Sequence, residues 1–256
     1  MSYARTVPNP DDHILAADLA QRAGELLLGL RSDLTAAGVQ PAELKDAGDR
    51  ASHEFLMAEL GQHRPDDAVL SEEAEADERA DTARLTAPRV WIIDPLDGTR
   101  EYGEGRSDWA VHVALVEDGV ATAGAVALPG LGTVFSTAQP ATLPDAPETL
   151  RVIVSRSRPP AEALAIAEAL GADLVEMGSA GAKTMAILRG EADVYPHSGG
   201  QYEWDSAAPV AVAMAAGLSC TRLDGSPLVY NREDPYLPDL LICRPAHTDP
   251  VLAVLN

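Results

Sequence analysis

Val90-Trp91-Ile92-Ile93 runs straight into Asp94-Pro95-Leu96-Asp97-Gly98-Thr99. A short, unbroken apolar run of this kind reads as a buried strand. It ends at once in two carboxylates, three positions apart. Pro95 fixes a turn, and Gly98 permits backbone shapes that other residues resist. Loops at strand ends are where α/β proteins seat their ligands. Two carboxylates on one stiff turn repel each other unless a cation lies between them. Hard cations such as Mg²⁺ choose oxygen ligands, backbone carbonyls included. The Leu96 carbonyl lies between the two Asp. Taken alone, the string reads as readily as an Asp-Pro/Asp-Gly turn satisfied by its own hydrogen bonds.

Composition narrows the field. The 256 residues carry 19 Lys+Arg against 40 Asp+Glu, a net charge of −21. A grip on a nucleic-acid polymer needs clustered positive charge, which this chain as a whole opposes. An anionic membrane surface is disfavoured for the same reason. The 46% hydrophobic content is that of a globular chain, so the acid surplus reads mostly as a solvated surface. The longest nearly apolar stretch, Ala207 to Leu218, is too short to span a membrane. The N-terminus lacks the basic-then-apolar pattern of a secretion signal. Cys220 and Cys243 are too few for a disulfide framework and read as reduced packing residues. The expectation is a cytoplasmic protein. Lys45 and Lys183 are the only lysines.

Periodicity predicts a helix over Asp11 to Leu30 and a second over Asp49 to Gln62, with Asp49 near its start, where a carboxylate suits the exposed N–H groups. Glu72 to Ala87 reads mainly as an acidic surface loop with room for a helix. Trp109 to Glu117 and Val120 to Leu128 flank Asp118-Gly119, a hairpin signal, and Gly132 to Ser136 adds a strand. Ala138 to Glu148 is rich in Pro and Ala. It divides the chain into an α+β half (1–145) and an α/β half (146–256). Beyond it, strands at 151–155, 173–177, 192–195, 218–223 and 240–243 alternate with helices at 159–170, 179–189 and 205–216.

Three further acidic sites stand out. Glu72-Glu73 follows the apolar Val69-Leu70. Asp205, in Glu203-Trp204-Asp205, precedes an Ala-rich helix and on its own reads as an N-cap. Asp49 follows Gly48. In this order, with Trp91 to Thr99 as one signature and Trp204-Asp205-Ser206-Ala207-Ala208 through Ala215-Ala216-Gly217 as the other, the chain resembles the inositol monophosphatase superfamily of metal-dependent phosphatases from Asp49 to Pro227. The resemblance implies an α/β (α+β) fold, a layered αβαβα sandwich of the inositol monophosphatase and fructose-1,6-bisphosphatase type. It implies that Glu72, Asp94, Asp97, Asp205 and the Leu96 carbonyl hold two or three Mg²⁺. It makes Asp49, Glu72 and Thr99 catalytic, with Thr99 and Glu72 orienting and helping to deprotonate the attacking water. The N–H groups of Gly98 and Thr99 would hold phosphate oxygens. Such a site suits the reaction: phosphate monoester hydrolysis is among the slowest uncatalysed reactions, and paired cations can clamp the entering and leaving oxygens.

Within that superfamily, four features resemble the 3′(2′),5′-bisphosphate nucleotidases of the bacterial CysQ type. They are Thr99-Arg100-Glu101-Tyr102, Ser155-Arg156-Ser157-Arg158, the Gly178-Ser179 to Lys183 segment, and Ser198 where inositol enzymes carry a Glu. Arg158 stands where those nucleotidases have a His. Position 181 departs from their usual large residue. The implied substrate contacts are Asp97, Gly98, Thr99, Arg100, Arg156, Ser179, Lys183 and Asp205. Tyr102, Tyr195 and Tyr202 are candidates either for a base pocket or for the core. The implied activity removes the 3′-phosphate of adenosine 3′,5′-bisphosphate, with the 3′-phosphosulfate analogue as a second substrate, in sulfur assimilation. Lithium sensitivity is implied by the family alone, and a homodimer is compatible with it. Two alternatives stay open: an inositol or fructose phosphatase, and a non-catalytic metal- or nucleotide-binding regulator. The partner is then a small phosphate ester, with no nucleic-acid polymer and no membrane span.

Overall fold

In the computed structural model, which describes residues 10–75 and 82–255, the signature run lies in a strand buried along nearly its whole length. Helices α1 (Pro10–Ala36) and α2 (Pro41–His63) lead into β1 (Ala68–Ser71) and that strand, β2 (Arg89–Asp97). A short helix α3 (Thr99–Gly103) follows, then β3 (Ala110–Glu117), β4 (Val120–Leu128) and β5 (Thr133–Ser136). These strands form one sheet in the order β1-β2-β3-β4-β5, parallel only between β1 and β2. The rest comprises β6 (Arg151–Ser155), α4 (Ala161–Leu170), β7 (Asp173–Met177), α5 (Ala180–Leu188), β8 (Val194–Tyr202), α6 (Glu203–Ala215), β9 (Ser219–Thr221), β10 (Tyr236–Cys243) and α7 (Pro245–Leu255). The second sheet runs β7-β6-β8-β10-β9 and is also mixed.

Strand parity explains the layers. Successive strand residues face opposite sides. Trp91 and Ile93 of β2, with Val111, Val113 and Leu115 of β3, pack under the leucine stripes of α1 and α2. Val90 and Ile92, with Ala110, Ala114 and Val116, face the small-residue surfaces of α5 and α6, among them Ala186, Ala207, Ala208 and Ala211. Ile153, Tyr195 and Ile242 of the second sheet close that core from the other side. Its outer face, Val152, Val154, Val194 and Leu241, is covered by Ala163 and Ile166 of α4 and Val251 of α7. The result is helix, sheet, helix, sheet, helix: the αβαβα sandwich. Buried on both faces, β2 and β3 read as continuous apolar runs rather than alternating ones.

Two boundaries differ from the sequence reading in ways that matter. Helix α2 begins at Pro41, eight residues before Asp49. Proline is pre-organised for a first helical position, and nothing in 41–48 except Gly48 opposes a helix. Asp49 is therefore mid-helix and not a cap. Strand β8 continues to Tyr202 and runs directly into α6. Of the acidic segment 72–87, residues 76–81 lie outside the described residues, and Thr82–Thr86 forms a 3₁₀ turn. No helix among the described residues is long and apolar enough to cross a membrane.

Candidate active site

A bulge in β2 makes the site. Asp94 pairs with His112 of β3, but Asp97 pairs with Ala110, so three residues on β2 span two on β3. Without the extra residue Asp97 would face α1 and α2, because strand side chains alternate. With it, Asp94 and Asp97 share the face that looks toward α5 and α6. Leu96 turns the other way, into the α1/α2 core, and its backbone N–H donates to Asp94 Oδ1 at 3.0 Å. Gly98 closes the turn at φ 87°, where a side chain is disfavoured. A Cβ there would also lie 3.1 Å from Ser179 Cβ and 3.2 Å from Trp109 Cα, so the position needs glycine twice over.

Parallel pairing brings in the next acid. Ser71 is opposite Ile93, and the Glu72 N–H donates to the Ile93 carbonyl at 3.2 Å, so Glu72 emerges beside Asp94. Asp205 arrives from the other half. It lies in the first turn of α6, where its Oδ2 accepts the Tyr202 N–H at 2.7 Å, so it acts on the helix start from inside the helix. Carboxylate oxygens of Asp94, Asp97 and Asp205 lie within 4.8 Å of one another. The Thr99 hydroxyl donates to the Leu96 carbonyl at 3.2 Å, and Asp49 of α2 lies beside it, where that hydroxyl favours the carboxylate's charged form.

The electrostatics divide these acids. Burial, then the charges of Glu72, Asp97 and Asp205, hold the Asp94 carboxyl well above its usual range. Burial first and neighbouring carboxylates next raise Glu72 and Asp205 to about 7 each. Burial beside Glu73 and Asp46 raises Asp49 to about 7. Asp97 behaves oppositely. Burial favours its neutral form, but His112, Lys183 and Ser179 together outweigh that and push it below the usual range. Its carboxylate accepts from Ser179 Oγ (2.5 Å), Ala180 N–H (3.1 Å) and Gly181 N–H (2.7 Å) at the start of α5. His112 Nε2 sits 3.2 Å away, too poorly aligned for a hydrogen bond, while Nδ1 donates to the Trp204 carbonyl at 3.0 Å.

This explains the glycine at 181. A Cβ there would collide with His112 Nε2, so a larger residue would displace the ring that faces Asp97. Ser179 holds φ 52° and ψ 133°, a conformation unusual for a residue with a side chain. Its hydroxyl oxygen accepts the Ala182 N–H at 2.9 Å while its proton goes to Asp97, and these bonds hold the backbone there.

The remaining candidates lie further from the acids. Lys183 is buried in α5, with Nζ donating to the Ser179 carbonyl at 2.8 Å and lying 5.3 Å from the Tyr195 ring centre. Burial lowers its pKa, and the surrounding carboxylates, Asp97 first, oppose that. Arg100 is exposed and pairs with Glu104 at 3.5 Å. Arg156 bonds Glu101 at 2.6 Å and Glu104 at 3.0 Å, forming a rim of alternating charge. Tyr102 and Tyr195 are core residues, whereas Tyr202 is 40% exposed. His112 is the residue that sequence reasoning missed. Its signal was a lone polar ring inside the apolar run Trp109 to Glu117.

The donor set fits a hard divalent cation, being all oxygen, with Asp94 and Asp97 buried and Asp205 partly so. Among the described residues, no arginine or lysine lies within ion-pair distance of Asp94 or Asp205. Comparison with known proteins agrees with the geometry. The inositol monophosphatase family matches residues 11–250, and this chain belongs to that family. A relative from Mycobacterium leprae (strain TN), named 3′-phosphoadenosine 5′-phosphate phosphatase, is 50% identical over 94% of this chain and 92% of its own. The 3′(2′),5′-bisphosphate nucleotidase CysQ of Escherichia coli (strain K12) is 32% identical over 75% of this chain and 81% of its own. Among solved structures, CysQ from Bacteroides thetaiotaomicron superposes with TM-score 0.76 at 28% identity, covering 93% of this chain and 99% of that one.

Proposed function

We propose that the chain is a Mg²⁺-dependent phosphatase that removes the 3′-phosphate of adenosine 3′,5′-bisphosphate, giving AMP and phosphate. The observation that carries this reading is the convergence of Asp94, Asp97 and Asp205 from both halves of the chain. It occurs in a chain half identical to a relative named for that activity.

Glu72, Asp94, Asp97, Asp205 and the Leu96 carbonyl are the residues that would hold the cations, two or three in number. Bound there, the cations supply charge neutralisation for the phosphoryl group and activation of the attacking water. The chain's own residues do the rest. Thr99 Oγ1, tethered to the Leu96 carbonyl beside Asp49, orients the water together with Glu72. Asp49 gives the departing proton an acceptor linked to Thr99. Asp97, fixed by the start of α5 and by His112, keeps its charge and position as the phosphoryl group passes. The Arg100 and Arg156 rim, drawn to the mouth by Glu101 and Glu104, meets the second phosphate.

One observation favours a broader enzyme. Ser198 replaces the Glu of the inositol enzymes, yet its hydroxyl donates to Glu162 at 2.8 Å, so a carboxylate from α4 stands at that corner. A substrate panel with Mg²⁺ tests both readings. The expected result is the highest kcat/KM for adenosine 3′,5′-bisphosphate. Faster phosphate release from inositol 1-phosphate or fructose 1,6-bisphosphate would overturn it.

A further inference from the structure

Tyr202 and Tyr236 are the only exposed residues among the tyrosines, tryptophans and phenylalanines described. Each is 40% exposed. They stand opposite each other on β8 and β10, with ring centres 5.7 Å apart and planes at 81°. Exposed aromatic surface grouped in this way marks a place where something binds.

The pair is tied to the acidic site through the backbone. The Tyr202 N–H is bonded to the Asp205 carboxylate at 2.7 Å, so the residue that carries the ring is anchored directly on one of the site acids. The buried Trp204 lies flat beneath Tyr202 at 4.8 Å and 11°, which keeps that ring from folding inward. Tyr236 is fixed just as firmly. The Glu203 N–H donates to the Pro235 carbonyl at 2.8 Å. The Glu203 carboxylate accepts the N–H groups of Asn231 (2.7 Å) and Arg232 (2.8 Å). The Tyr236 hydroxyl accepts the Gly200 N–H at 3.3 Å. The segment that delivers Tyr236 is thus clamped to the same helix start that delivers Asp205. Beside Tyr236 opens a cleft of about 440 Å³, bordered by Arg222, Arg232, Glu233, Asp234 and Pro238. That volume falls in the size range of small-molecule sites.

We propose that Tyr202 and Tyr236 form the platform on which the purine base of the substrate stacks while its 3′-phosphate lies among Asp94, Asp97 and Asp205. A planar base suits such a platform because every base offers a π face to an aromatic ring. A sugar phosphate without a base has nothing to place there. The platform therefore separates nucleotide from sugar substrates at the level of binding. The inference rests on the functional reading above and adds to it the residues that recognise the base.

The test compares adenosine 3′,5′-bisphosphate with ribose 3,5-bisphosphate, which has no base. Tyr236→Ala is expected to raise KM for the nucleotide about tenfold, with kcat changed less than about threefold. KM for the base-free substrate stays at the wild-type value, and Tyr236→Phe, which keeps the ring, restores nucleotide KM. Should Tyr236→Ala fail to fold, Tyr236→Leu carries the same expectation. The platform is overturned if nucleotide KM is unchanged, or if it rises equally for both substrates. A wild-type enzyme inert toward the nucleotide would instead defeat the functional reading itself, so the two failures are distinct.

Discussion

The molecule contains two buried acidic clusters, and it treats them in opposite ways. One joins α1 to the far end of β2. There Asp12, Asp67 and Glu117 surround Arg89 at 3.1, 2.9 and 3.1 Å, and Arg64 adds a second contact to Asp12 at 2.8 Å. The other lies at the C-terminal end of the same strand, where Asp94 and Asp205 have no arginine or lysine partner among the described residues. The first cluster carries its counter-charge in covalent form and is finished on folding. The second leaves the counter-charge to be supplied from outside. A single strand thus sets carboxylates with basic partners at one end against carboxylates without them at the other, the arrangement on which the proposed cation site rests.

The largest effect comes from removing charge at the open cluster. Asp94→Asn should lower kcat by on the order of 10³-fold or more, because it removes a carboxylate that would hold the cation neutralising the phosphoryl group. The metal-free fold should stay intact, since one source of repulsion is gone. Near-normal turnover would break the comparison. The converse change belongs to the closed cluster. Arg89→Ala takes from Asp67 its main partner and from the buried Glu117 its only arginine among the described residues, while Asp12 keeps Arg64. It should cost about 3 kcal/mol in urea unfolding. Turnover at a temperature where the variant is folded should barely change. A large loss of kcat without loss of stability would contradict this division.

Ser179→Ala probes the boundary between the two treatments, since the protein's own groups push Asp97 below the usual carboxylate range. It removes a helix cap and a bond to Asp97, so we expect a stability loss of about 1–2 kcal/mol. A fall in kcat of about 10–100-fold should accompany it, as for residues that orient a metal ligand. Ser179→Gly relieves the positive φ without returning the hydroxyl, so it should recover part of the stability and none of the activity.

The smallest effect is a pH slope. Glu72 and Asp205 have folded pKa values raised to about 7, so the folded state binds more protons than the unfolded one below that pH. Stability from these groups is then greatest in acid. It is lost as pH rises from about 4, where unfolded carboxyls ionise, toward about 7. Metal-free wild type should lose Tm over this window more steeply than Asp205→Asn. Equal slopes would show that Asp205 is compensated after all.

What was legible in the sequence is what is local. The run from Val90 to Thr99 carries its strand and both aspartates within ten residues, so a candidate site was readable there, whereas the bulge that turns both acids to one face depends on pairing with β3 and was not. The layered fold followed from the alternation after residue 150 and from the family resemblance. Asp49 was misplaced because helix starts are weakly encoded, and Pro41 and Gln40 give α2 an earlier one. The roles of His112 and Gly181 depend on each other across 69 positions (181 − 112), and no spacing rule reveals such a pair. Lys183, expected in a substrate loop, is buried in α5 with the Tyr195 ring beside it, a placement set by β8 and not by any local signal. Tyr236 gave no signal, because its neighbour Tyr202 reaches it only through the β8–β10 register.

The central claim is that the acids at the end of β2 await a cation while those at its start do not. It is tested most directly by titrating metal-free protein with Mg²⁺ at pH 8 and following Tm. Wild type and Arg89→Ala should both gain about 5–10 °C at saturating Mg²⁺, and Asp94→Asn should gain almost nothing. An Asp94→Asn protein stabilised as much as wild type would contradict the account.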